Sequence, residues 1–318
     1  MDAARRGDDE ASVKYLQQAI ETEPRSEGAA FARDTLAEMY GARLYPDMVT
    51  SCPRSAQQAF ANAEEQFGKG NFDAAIPLYQ SAVADCPASA PMRVSLADAY
   101  FARGDHDKAR GMFREAIAID PWNRAAWRYL SDAENRLGNR TAAWEAALFA
   151  VLSDPDYQMG WVTLDYCSAK PIERIYVVKP RLARTNDGKI TINIPSVDPT
   201  YPDAEAGRLA WISYGVLLNL PVVAVESRLD RERRLVLRAL DAYQEIGLDK
   251  GKKASPLWDE LKSANAAGFL DEAIFVRLID KELAPDYAEF RNTHRARLIE
   301  YMKRFVTQPP ASFVRPTI

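Results

Sequence analysis

The sequence predicts a mainly α chain: an α–α superhelix of stacked helix pairs over 1–170, then a smaller α+β domain over 171–318. Three observations predict this. Gly70, Gly104 and Gly138 recur every 34 residues, and Ala82, Ala116 and Ala150, with Pro87, Pro121 and Pro155, keep the same phase. A fixed period of this size marks a repeat architecture. From Pro171 the apolar period shortens to the alternation of a strand, as in Lys189-Ile190-Thr191-Ile192-Asn193-Ile194. Finally, 318 residues that are 47% hydrophobic and 27% charged describe a globular chain of about two domains. A net charge of −4 is too small for a nucleic-acid footprint. No stretch approaches the ~18–20 apolar residues of a membrane helix, and the start, MDAARRGDDE, has no signal-peptide core.

Each copy reads as two helices. First helices are expected at 56–68, 90–102 and 124–136, each closed by a glycine that takes the left-handed cap conformation cheaply. Second helices at 73–85, 107–119 and 141–153 end ahead of a proline, which disfavours helical geometry in the residue before it. Ala75, Ala109 and Ala143 fall where paired helices cross, and Tyr79 and Phe113 fill the layer between copies, with Ala147 in the third. A single pair cannot bury its own apolar face, so the copies must stack.

Glycine, alanine, aromatic, alanine and proline at these intervals, with Leu96, Tyr100, Trp127 and Leu130 on the first helices, resemble the tetratricopeptide (TPR) repeat. The resemblance is strict over 56–157. Ala59 and Asn62 depart from it, standing where a large apolar residue is usual, so the first copy packs more loosely. Degenerate copies are expected over 1–55, with a helix at 27–40 and an irregular segment at 43–52. A solvating cap helix is expected near 158–169, carrying Trp161 and Leu164.

The resemblance implies that first helices line a concave groove in which a partner's peptide lies. Carried over residue by residue, the groove is Phe60, Glu64 and Phe67; then Val94, Asp98 and Phe101; then Arg128, Asp132, Asn135 and Arg136. Glu64, Asp98 and Asp132 form a carboxylate ladder, and Phe60, Phe67 and Phe101 an exposed apolar row beside it. Such a strip suits a protein segment with basic residues and apolar anchors. The family's clamp for an acidic chaperone tail is not expected, because its Lys, Asn and Arg positions hold Phe60, Glu64, Ser95, Ala125 and Tyr129.

Cys52, Cys86 and Cys167 are too few for a disulfide scaffold. Cys52 and Cys86 stand one repeat apart, each before a proline. Equivalent points in a regular stack lie ~8–10 Å apart, beyond the ~7 Å that a bridge tolerates, so a regular stack disfavours the bond and only irregularity near 43–52 rescues it. With two histidines, a Cys/His zinc site is not expected, nor is any cofactor.

In the second half, a hairpin is expected over 172–194, with arms 172–178 and 189–194 around Thr185-Asn186-Asp187-Gly188. Ser196–Asp203 reads as a linker. About four helices are expected over 204–306, with apolar stripes at 204–219, 228–246, 256–268, 270–283 and 285–306, before an extended tail over 307–318. Gly247…Gly251-Lys252-Lys253 has the wrong spacing for a phosphate loop, and HExxH and GxSxG are absent. His106 and His294 read as surface residues. Arg231, Arg233 and Arg234 are diluted by Asp230 and Glu232.

A non-enzymatic adaptor or scaffold leads. One rival is an enzyme or small-ligand domain in 172–318 recruited by the repeats. The other is a structural module whose repeats bind the chain's own second half or a second copy of it. The compartment stays open, the cytoplasm slightly ahead of export after removal of a leader.

Overall fold

A computed structural model describes residues 52–172, Lys179, the paired backbone at 181–184 and 190–193, and residues 205–218 and 226–310. The expected copies over 1–51, the strand arm at 173–178, the turn at 185–188, the linker at 196–203 and the tail beyond 310 lie outside these residues. The described residues up to Cys167 belong to one compact unit, and 168–308 form a second.

Among the described residues, the first unit has seven helices: α1 (Arg54–Gly68), α2 (Phe72–Asp85), α3 (Ala90–Arg103), α4 (His106–Ile119), α5 (Arg124–Arg136), α6 (Arg140–Ser153) and α7 (Gln158–Cys167). Their ends fall within about two residues of the periodicity's expectation. The turns inside the three pairs pass through Gly70, Gly104 and Gly138 at φ of +76°, +94° and +80°, a region only glycine enters without strain. Ser89 Oγ accepts from Met92 N, and Asn123 Oδ1 accepts from Ala126 N at 2.9 Å, so α3 and α5 start on side-chain caps. Ala75, Ala109 and Ala143 are wholly buried, which lets paired helices approach closely. Tyr79, Phe113 and Ala147 fill the layers between pairs.

A side-chain donor ties successive first helices to the loop ahead of them. Trp127 Nε1 donates to the Pro121 carbonyl at 2.9 Å, and one repeat later Trp161 Nε1 donates to that of Pro155 at 2.8 Å. One repeat earlier, Arg93 donates to Pro87 O. The cap helix α7 is therefore the first helix of a further copy.

Cys52 and Cys86 are joined in a disulfide, with Cα atoms 5.7 Å apart, the bond that a regular stack disfavoured. The 8–10 Å spacing holds between helix axes, but neither cysteine lies inside a helix. Cys52 precedes α1, and Cys86 is the extended residue (φ −134°, ψ 71°) that ends α2.

Among its described residues the second unit is helical apart from one two-stranded ribbon, so the expected α+β domain is not supported. Arg181–Arg184 (β1) pairs antiparallel with Ile190–Asn193 (β2), Leu182 opposite Ile192. Among the described residues, the arm paired with Ile190–Asn193 is Arg181–Arg184; the expected arm lies outside them apart from Ile172. No third strand joins among the described residues, and two four-residue strands make no sheet layer.

Six helices accompany the ribbon among the described residues: α8 (Glu205–Leu217), α9 (Arg228–Ala242), α10 (Pro256–Ala266), α11 (Leu270–Arg277), α12 (Ala284–Thr293) and α13 (Arg295–Tyr301). Looser turns extend α9 through Gly247 and α13 through Val306. The helix expected over 285–306 is broken in two. Thr293 Oγ1 bonds back to Phe290 O (3.2 Å), and His294 leaves helical geometry at φ −115° to stack on Phe290, ring centroids 4.0 Å apart. Trp211, Tyr214, Tyr243 and Trp258 form an aromatic core. Gly247 packs so tightly on α8 that an added Cβ would stand 2.6 Å from that of Ala206.

Candidate partner-binding site

The face shared by the first helices α1, α3, α5 and α7 carries the residues singled out from the sequence. Those residues form three rows at 34-residue intervals: Phe60/Val94/Arg128, Glu64/Asp98/Asp132 and Phe67/Phe101/Asn135. Offsets of four and seven within each helix keep the rows on one side of it.

The apolar row is not an open surface. Phe60 and Val94 are buried, and Phe60 meets Tyr79 edge-on with centroids 5.6 Å apart. Phe67 is half-buried against Phe72 (5.4 Å) and Tyr79 (6.4 Å). Phe101 is half-buried against the His106 ring (4.9 Å), so His106 is a packing residue instead of a solvated turn residue. The physical reason is position: a helix in a stack has neighbours on both flanks, and offsets of four and seven reach them. In the third copy the first row becomes Arg128, whose guanidinium lies 3.9 Å above the Tyr129 ring, itself stacked on Phe113.

Glu64, Asp98 and Asp132 are half-buried, more enclosed than an ordinary solvated face. Glu64 Oε1 accepts from Tyr79 OH at 2.7 Å and also takes a hydrogen bond from Ser95, linking α1 to α3. Burial raises its pKa above the usual carboxylate range, against these two hydrogen bonds. Asp132 meets Arg128 at 3.4 Å, and burial lifts its pKa against the pull of Arg128 and Arg136. Asp98 lies between them. Burial pushes its carboxyl up to about 6; Arg128 opposes the rise, and the charges of Glu64 and Asp132 add to it. Among the described residues none donates a hydrogen bond to Asp98. Three acids, one per copy, thus lie in a row, with Arg128 acting on both Asp98 and Asp132. Among the described residues, no group of three His, Cys, Asp or Glu side chains converges as metal ligands do.

The row ends on α7. Asn135 Nδ2 donates to Cys167 Sγ at 3.1 Å, with Ser131 Oγ 3.4 Å from the same sulfur. Burial pushes the Cys167 thiol up, keeping it protonated. Arg136 is exposed. One repeat beyond Asp132 stands Tyr166, 79% exposed. It was missed in the sequence, yet extending the carboxylate row by 34 finds it.

Residues 60–123 and 96–157 each match the profile of the tetratricopeptide repeat family. Residues 60–157 are tetratricopeptide repeats. No curated protein matches the chain. Among solved structures, the TPR domain is similar to the Sgt2 TPR domain from Aspergillus fumigatus: 22% identity, 36% of this chain, 78% of that one, TM-score 0.36. It is also similar to the second TPR domain of human RPAP3, solved with an HSP70 peptide: 21% identity, 36% of this chain, 95% of that one, TM-score 0.35. A third is the Yersinia enterocolitica type III secretion chaperone SycD, solved with a peptide of the translocator YopD: 13% identity, 36% and 93%, TM-score 0.35.

Charged groups described in the second unit are paired with one another. Lys179 Nζ reaches Glu232 (3.0 Å) and Asp280 (2.8 Å), and Tyr214 OH donates to Glu232 (2.7 Å), so this buried group satisfies itself. The arginines that suggested a basic patch are engaged: Arg233 with Asp271 in two 2.8 Å bonds, Arg234 with Glu226 in two more, and Arg231 with Leu218 O. No described helix is long and apolar enough to cross a membrane.

Proposed function

We propose that the TPR array is a protein-interaction adaptor that holds an extended segment of a partner along the α1–α3–α5–α7 face. In this reading the ladder Glu64–Asp98–Asp132 takes basic side chains. One observation carries it: Asp98 is enclosed and flanked by two like charges, yet no described group donates a hydrogen bond to it. A carboxylate kept where its charge is disfavoured is a functional-site candidate, and a guanidinium or ammonium from a partner would supply what it lacks. Arg128, Asn135 and Arg136 border the same face, and the exposed Tyr166 offers the apolar contact that the packed Phe60, Val94, Phe67 and Phe101 do not.

Spacing sets the partner's pattern. Adjacent first helices pack about 8–10 Å apart, and an extended chain advances ~3.3 Å per residue, so one basic residue in about three matches the ladder. The probe is a fluorescein-labelled peptide with arginine at every third position, titrated into the full chain by anisotropy. A control peptide has the same composition with its arginines clustered. The spaced peptide binds more tightly, and Glu64→Gln, Asp98→Asn and Asp132→Asn each weaken it about tenfold. Amides replace charge reversals because an enclosed lysine would disturb packing. Equal binding of both peptides, or a triple amide variant that binds like the parent, refutes the reading.

A further inference from the structure

We infer that this chain folds and works in an oxidising compartment, where the Cys52–Cys86 bond permanently closes the α1–α2 pair. The bond joins the residue ahead of α1 to the residue that ends α2, so a single covalent loop encloses both helices. It stands where the first copy lacks what the others have. At the position where Arg93, Trp127 and Trp161 donate to the carbonyl of the preceding loop's proline, the first copy has Ala59, which has no donor. Where Leu96 and Leu130 are buried, the first copy has the exposed Asn62.

The cysteine pattern also departs from the repeat. The positions equivalent to Cys86 are Asp120 and Asp154, whose carboxylates accept from Trp122 N and Asp156 N, each at 3.1 Å. Arg124 pairs with Asp154, so the third copy's ends are held by ions. Cysteine at a helix-end site that elsewhere takes aspartate is explained by the bond it makes. The remaining cysteine, Cys167, is buried and hydrogen-bonded to Ser131 and Asn135. Burial keeps its thiol protonated, so it does not attack the bond.

Closing the loop removes two protons and two electrons from the Cys52 and Cys86 thiols. They pass to the disulfide of a thiol–disulfide oxidant, which leaves as two thiols. Oxidants of that class maintain structural disulfides outside the reducing cytosol.

The test reads the thiols in cells of the source organism. Acid quenching traps them, and the denatured full chain is alkylated before and after reduction and weighed. One thiol, Cys167, labels before reduction, and three label after it, from a fraction outside the cytosol. Three labels before reduction, or recovery of the chain from the cytosol, overturns the inference. A Cys52→Ser/Cys86→Ser variant distinguishes a closure from an idle bond by hydrogen exchange. Exchange in 54–85 accelerates by about two orders of magnitude, while 106–153 keeps its protection. Unchanged exchange in 54–85 also overturns it.

Discussion

Replacing Asp98 by asparagine tests the electrostatic account most directly. Burial and the neighbouring Glu64 and Asp132 raise its carboxyl from 3.8 to about 6, net of Arg128's opposition. A carboxyl whose folded pKa lies above its unfolded value binds its proton more tightly when folded. The penalty is therefore absent below pH 3.8, grows between 3.8 and about 6, and is constant above that. At 1.36 kcal/mol per pH unit the interval corresponds to about 3 kcal/mol. The carboxylate's partial exposure, and an amide that is not a perfect replacement, reduce the expected gain to about 1–2 kcal/mol. Urea denaturation of both full chains, followed by far-ultraviolet circular dichroism at pH 7.5 and pH 4, reads it. Asp98→Asn is the more stable chain at pH 7.5, and the gap shrinks below about 0.5 kcal/mol at pH 4, where both folded chains are neutral at this position. A parent as stable as the variant at pH 7.5, or a gap that survives at pH 4, refutes the reasoning.

Two further predictions concern the scaffold. Gly104 has φ +94° and open space where a Cβ would go, so Gly104→Ala costs about 1 kcal/mol from backbone conformation alone. Gly111, inside α4 with equally open space and no positive φ, gives the opposite sign: Gly111→Ala gains about 0.5–1 kcal/mol. Thermal melts of the pair check the contrast, and shifts in the same direction count against it. In the second unit, Arg277 is buried and holds Glu260 through bonds of 2.9 and 2.7 Å, and Tyr301 OH donates to the same carboxylate. Arg277→Met leaves Glu260 enclosed with too few donors and costs about 3–5 kcal/mol, and adding Glu260→Gln recovers part of it. Denaturant midpoints of the single and double variants decide the point.

The repeat part was legible because its punctuation is local. A glycine that must take positive φ, an alanine that must let helices cross and a proline that must stop one are requirements a single residue meets, and all three repeat in phase. Which side of a first helix faces water is not local. Phe60 and Val94 share a row with Arg128, and neighbouring helices, not residue type, decide that the first two are core. Hydrophobicity correctly demanded a cover for them: Phe60 meets the array's own Tyr79, and both belong to the array's core. The carboxylate row was readable as a row. Its enclosure was not, since it depends on Ser95 and Tyr79 meeting Glu64 from two other helices. The ribbon shows the same limit: alternation named 190–193 as a strand but not Arg181–Arg184 as the partner it finds.

The three copies differ in how they hold together, and the difference has a direction. The α3–α4 and α5–α6 pairs bury a leucine from each first helix, and α6 adds Trp144, Leu148, Val151 and Leu152 to the core. The α1–α2 pair has Asn62 in the leucine's place. In a stack whose stability is a sum of pair and interface contributions, the pair with the least burial opens first. That pair also supplies Glu64, the first rung of the acidic ladder, and Tyr79, the hydroxyl that orients it. A cystine across its ends lowers the entropy gained on opening without adding side chains to the face. It stabilises the weakest copy while leaving the ladder's geometry to Tyr79 and Ser95. Packing could have done the same only by placing a large apolar residue at 62, on the helix that carries Glu64.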